Sequence, residues 1–164
     1  RQLHTTMEKL YQTYDHNPLK LVDQEMSTWE MLTKLNEDPL VTIGAHTVSH
    51  PFLSTLCQES VRQEIVESRD RIAEMVGSTP TLFAYPYGYE NAVDKREVAF
   101  VEDLGFEAAF TTRKGVVETD FDGSLMAIPR LSVNGHYQSL SAMRALMSGF
   151  PFYVANRLAR SGAL

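Results

Sequence analysis

His46 and His50 are the residues with the clearest chemical capacity, four apart in Ile43-Gly44-Ala45-His46-Thr47-Val48-Ser49-His50-Pro51. Neutral imidazoles brought together by a helical turn or a tight loop can donate nitrogen lone pairs to one cation. Imidazole suits zinc and other late first-row ions, and a third protein ligand plus a water completes a catalytic site. The same spacing fits two surface or capping histidines, so spacing alone leaves both readings open. Position favours the metal reading. The pair follows a short apolar run, encloses the small hydroxyl residues Thr47 and Ser49, and is closed by Pro51.

A second candidate is Tyr85-Pro86-Tyr87-Gly88, a turn by its proline and glycine. Aromatic residues flanking a turn at a strand end suit stacking on sugar rings, so Tyr85 is a candidate substrate contact, with Pro86 beside it, shaping the same loop, as a further candidate. An exposed backbone N–H in such a turn can polarise a carbonyl oxygen. Arg130, next to Pro129, is either an ordinary surface charge or a group that orients a carboxylate. His136 follows it closely. His4 and His16 have no partner pattern, and Asp120 and Asp122 read as solvated turn residues.

The elements that must position these residues follow from periodicity. Leu3, Met7, Leu10 and Tyr14 predict a helix over 2–14, broken by Asp15-His16-Asn17-Pro18. Ser27, with Glu30 three residues on, predicts a capped helix bearing Trp29, Leu32 and Leu35 inward. Residues 40–45 read as a strand buried on both faces. Val61, Ile65, Ile72 and Val76 predict an amphipathic helix over 58–76 closed by Gly77. Further strands are expected over 82–84, 108–111 and 128–133, and helices over about 94–104 and from Ser139 through Met147, with a short restart at Pro151. Residues 113–127 read as a loop. Strands alternating with helices imply βαβ units and a parallel sheet, with functional groups at the carboxyl ends of the strands. His46, Tyr87, Thr111 and Arg130 fall near such ends.

A chain of 164 residues suits a single domain. A net charge of −6 with dispersed arginines and lysines argues against a nucleic-acid partner. No apolar run approaches the roughly 20 residues of a membrane span. The single Cys57 excludes an intrachain disulfide and leaves the compartment open between cytoplasm and cell envelope. The chain begins at Arg1 inside a predicted helix, which reads as a fragment or a processed chain.

Taken together, the His46–Pro51 segment and Phe83-Ala84-Tyr85-Pro86-Tyr87-Gly88 closely resemble the polysaccharide deacetylase family, the NodB-homology domain of carbohydrate esterase family four. Met26 to Leu32 and Ala127 to Leu131 resemble its flanking segments, and the likeness covers roughly residues 26–158. The resemblance implies an α/β fold, a partial distorted (β/α) barrel with parallel strands and flanking helices, forming one domain over 1–164 that is N-terminally incomplete. It implies a bacterial, metal-dependent hydrolase that removes N-acetyl or O-acetyl groups from a polysaccharide or oligosaccharide. His46 and His50 would bind the metal, most often zinc, beside an aspartate, and the Tyr87 N–H would help to hold the oxyanion. His136 is the nearest candidate for the general acid, outside the family's Leu-x-His context.

Two departures accompany the likeness. The family's Thr-Phe-Asp-Asp-Gly motif, which supplies the metal aspartate and the general base, is absent, so this chain is expected to start downstream of it and to be inactive by itself. Ala84 stands where the family commonly has arginine, and Arg130 is expected to fill that electrostatic role. Two other readings stay open: a carbohydrate-binding module without turnover on the same fold, and an unrelated metal-binding α/β protein. The exposed sheet edge of an incomplete barrel also predicts self-association.

Overall fold

The structure, a computed structural model, describes residues 2–15, 17–117 and 124–154. His16 and the loop residues Asp120, Asp122 and Gly123 lie outside the described residues, as does the side chain of His4. The chain divides into two compact units, Arg1–Val41 and Thr42–Leu164.

The first unit is helical: α1 (Gln2–Thr13), α2 (Pro18–Glu25) and α3 (Trp29–Asn36). α1 ends at Thr13, as the break expected at 15–18 requires, and α2 is an additional helix that begins at Pro18. Proline lacks only an N–H that the first helical turn would leave unpaired, so Pro18 opens the helix as its first residue. The cap of α3 is Thr28 rather than Ser27, its side chain accepting from the Met31 N–H. Leu35 stays exposed, and α3 buries no residue.

The strand expected over 40–45 is reduced to one bridging residue. The Asp38 carboxylate accepts from the Leu40 N–H at 2.9 Å and the Asp38 carbonyl from Val41 at 3.0 Å, so a turn consumes the start of that segment. Only Ala45 reaches a partner, lying parallel to Phe83. Its N–H donates to the Leu82 carbonyl and its carbonyl accepts from the Ala84 N–H.

The second unit holds a parallel three-stranded sheet in the order β1 (Leu82–Ala84), β2 (Ala108–Lys114), β3 (Ile128–Arg130). α4 (Gln58–Val76) ends at Gly77, whose φ of 82° is the left-handed conformation that glycine adopts without a Cβ penalty. α5 (Lys95–Asp103) starts from a capping box between Asp94 and Glu97. α6 (Leu140–Met147) is capped by Ser139 as expected, and residues 150–154 are helical.

β2 is longer than predicted, which places Thr111 inside the strand, fully buried, rather than at its end. β3 is shorter. Its last paired residue is Arg130, opposite Lys114 where β2 stops, so residues 131–133 have no ladder to join. The core lies between α4, α5 and the sheet: Leu53, Val61, Ile65, Phe83, Tyr85, Val93, Val101 and Ala109 are nearly or fully excluded from solvent.

Candidate functional site

The site forms where the exits of Ala45 and β1 meet. His46 leaves the bridge with its ring against β1, and its Nδ1 lies 2.6 Å from the Ala84 carbonyl. A carbonyl only accepts, so Nδ1 is the donor, which in a neutral ring makes Nε2 the lone-pair nitrogen. This tautomer, oriented by a backbone acceptor, is the arrangement of a metal-ligating histidine.

His46 and His50 are brought together by a tight loop, not a helical turn. Thr47 (φ 64°) and His50 (φ 54°) are both left-handed, and the His50 N–H donates to Thr47 Oγ1 at 3.2 Å. A β-branched residue seldom takes this conformation. The reversal sets the two imidazoles edge to face, 4.9 Å between centroids.

Glu64, on α4, holds that loop. One carboxylate oxygen accepts from the Val48 and Ser49 N–H groups, each at 2.9 Å, and the other accepts from the Ser49 hydroxyl. Partial burial pushes the Glu64 carboxyl up, but the Ser49 hydroxyl and the two N–H donors outweigh it and hold the group below its ordinary value. Sequence reasoning missed this residue. The available signal was a carboxylate at i+3 from Val61, beside Ile65, on the helix's buried side.

Tyr87 supplies the other wall. It too is left-handed (φ 62°), as is Gly88 (φ 61°). The Thr112 N–H donates to the Gly88 carbonyl at 3.0 Å and the Thr112 hydroxyl to the Tyr87 carbonyl, which pins the turn to β2. A Cβ on Gly88 would stand 2.6 Å from the Thr112 nitrogen, so no side chain fits there. The Tyr87 ring lies 4.9 Å from His50, and no acceptor among the described residues takes its backbone N–H.

Other predicted residues are placed elsewhere. Tyr85 and Pro86 are buried, which removes them as sugar contacts. Tyr85 packs on Phe83 and donates its hydroxyl to the Met126 carbonyl at 2.9 Å; burial, and then the Glu97 charge, push its phenol well above the usual range. It anchors the β1 exit. Arg130 is exposed with its guanidinium 5.5 Å from the Phe110 ring centroid, and His136 sits exposed on a turn where its N–H donates to Asn134 Oδ1. Among the described residues no hydrogen bond, ion pair or ring contact joins either of them to His46, His50 or Tyr87.

The donor set fits a metal in part. Two adjacent imidazoles, one oriented through Nδ1, could supply two ligands. No group of three or more histidine, cysteine, aspartate or glutamate side chains able to hold an ion exists among the described residues.

Comparison with solved structures returns the same fold. The chain matches the Streptococcus pyogenes deacetylase PplD in complex with acetate at TM-score 0.66 and 18% identity, covering 77% of this chain and 54% of that one. BC0361, a polysaccharide deacetylase from Bacillus cereus, matches at TM-score 0.62 and 17% identity, over 73% of this chain and 36% of that one. IcaB from Ammonifex degensii matches at TM-score 0.59 and 21% identity, over 74% and 54%. The chain thus spans about half or less of the length of these structures. Its parallel sheet with flanking helices is of the NodB type. The family model for polysaccharide deacetylase matches residues 12–109, more than half of the chain, and the chain therefore belongs to the polysaccharide deacetylase family.

Proposed function

We propose that this chain is the histidine-bearing portion of a metal-dependent carbohydrate deacetylase, with His46 and His50 as two protein ligands of a divalent metal, zinc by donor type. The observation that carries the reading is the paired imidazoles, with the His46 ring held through Nδ1 by the Ala84 carbonyl. The family generally depends on a divalent metal and acts on acetylated polysaccharide. A third ligand and a general base must come from carboxylates outside the described residues.

When bound, such a metal supplies Lewis-acid polarisation of the acetyl carbonyl and of the attacking water. The chain's own residues then orient and exclude. Tyr87 offers its unoccupied N–H to the carbonyl oxygen as charge develops on it, and its ring closes one side of the site. Thr47 and Glu64 hold the histidine loop in its reversed conformation. Arg130 and His136 receive no step, because no contact among the described residues joins them to the cluster.

Zinc uptake by the chain and by its His46→Gln and His50→Gln variants, followed by equilibrium dialysis, tests the assignment. Wild type should take up one zinc, and either substitution should weaken it by more than about tenfold, the loss typical even of outer-sphere changes. Wild-type affinity in both variants would sink the assignment. The lack of a third donor among the described residues also favours a carbohydrate-binding module without turnover. Acetate release from an acetylated oligosaccharide by the full-length protein separates the two.

A further inference from the structure

Beside the histidines, the aromatic cluster continues past Tyr87 in a way that metal chemistry does not require. Phe52, just after the histidine loop, lies 5.4 Å from Tyr87 and 5.6 Å from Tyr89, and the two tyrosines are 6.3 Å apart. Phe52 is half-buried, whereas Tyr87 and Tyr89 are 45% and 46% exposed. The rings therefore form a ledge with Phe52 as its floor, running from His50 to Tyr89.

Its two supporting loops are tightly fixed. The Ser54 hydroxyl donates to the Asn91 carbonyl at 2.9 Å, and Arg96 donates to the Leu53 and Leu56 carbonyls, each at 3.0 Å. Leu53, Ala92 and Val93 anchor the same loops in the core. With the loops already held, less backbone ordering remains to be done when a ligand arrives, and less contact energy is lost to entropy.

We propose that Tyr89, seated on Phe52, is a sugar-stacking subsite that binds the pyranose next to the one whose acetyl group faces His46 and His50. This rests on the deacetylase reading and adds a substrate-length preference to it. The occupant follows from continuity and chemistry. The ledge abuts the site, and an exposed tyrosine offers an apolar face with a polar tip, which suits the C–H face of a sugar and its rim of hydroxyls. A chain of linked sugars leaving the histidines along the rings reaches Tyr89, while a single sugar does not.

The test is calorimetric titration of the chain with N-acetylglucosamine and with its linear tetramer, using wild type, Tyr89→Ala, Tyr89→Phe and Tyr89→Trp. Tyr89→Ala should weaken the tetramer on the order of tenfold, the scale of truncating a contact hot spot, and leave the monosaccharide unchanged. Phe and Trp should restore tetramer binding. Tetramer affinity that is the same in all four proteins overturns the subsite, as does a wild type that binds no tetramer, or an equal loss for monosaccharide and tetramer. Tyr89 is exposed, so an unchanged melting transition is expected and verifies folding. Zinc uptake should be identical in Tyr89→Ala and wild type, so that failure of the subsite and failure of the metal assignment are read from different measurements.

Discussion

Removing the Glu64 carboxylate should loosen the histidine loop without touching either histidine. Glu64 accepts three hydrogen bonds from residues 48 and 49. Bonds to a charged group contribute about 1.5–3 kcal/mol each when desolvated, but these donors lie on an exposed loop and regain water, so the net loss is nearer ~2 kcal/mol. Against this, the left-handed Thr47 and His50 store roughly 1–3 kcal/mol each, strain that persists only while neighbouring contacts enforce it. Withdrawing the clamp lets the loop relax, and apparent affinity falls with the fraction of molecules still competent, on the order of tenfold. Zinc titration of Glu64→Ala, with amide exchange at Val48 and Ser49 in the metal-free chain, reads both effects. The carboxyl is held below its ordinary value, so the clamp is complete above the usual glutamate range and is lost only as pH falls through the lowered value. In metal-free protein, protection of these amides relative to the intrinsic exchange rate at each pH should fall only in that acidic window. Wild-type zinc affinity together with wild-type exchange in Glu64→Ala would refute the clamp.

Gly88→Ala should cost about 2–4 kcal/mol in chemical denaturation, since its Cβ meets the Thr112 nitrogen at 2.6 Å with the backbone at φ 61°; an unchanged midpoint would mean that the turn is not pinned to β2. Tyr85→Phe leaves the Met126 carbonyl without its donor and should cost about 1–2 kcal/mol. The buried phenol of Tyr85 is raised, so its neutral form contributes stability that is intact below the ordinary tyrosine range and lost as pH rises through the raised value. Alkaline destabilisation should therefore shrink in Tyr85→Phe. Phenolate absorbance showing every tyrosine titrating in the ordinary range would contradict the burial.

What could be read from sequence depended on how local the determining contacts are. α4 was legible end to end because 19 residues repeat one pattern and Gly77 stops it. The segment before His46 was not, because an apolar run does not reveal whether a neighbouring strand pairs with it, and here only Ala45 finds one. Strand parity explains the error over Tyr85. Phe83 and Tyr85 point inward as alternate residues of an extended chain, and continuing that alternation would bury Tyr87 as well. The left-handed turn at Tyr87 breaks the parity and releases its ring beside His50. The same holds for Thr47 and His50: neither residue type favours φ > 0, so no local preference announces the reversal that makes a pair of histidines into a site. The reversal depends on Glu64, 15 and 16 residues away from the groups it holds. Local rules thus fail at Thr47, His50 and Tyr87, the residues that assemble the site, and the long-range contacts to Glu64 and Thr112 are what sustain the departure.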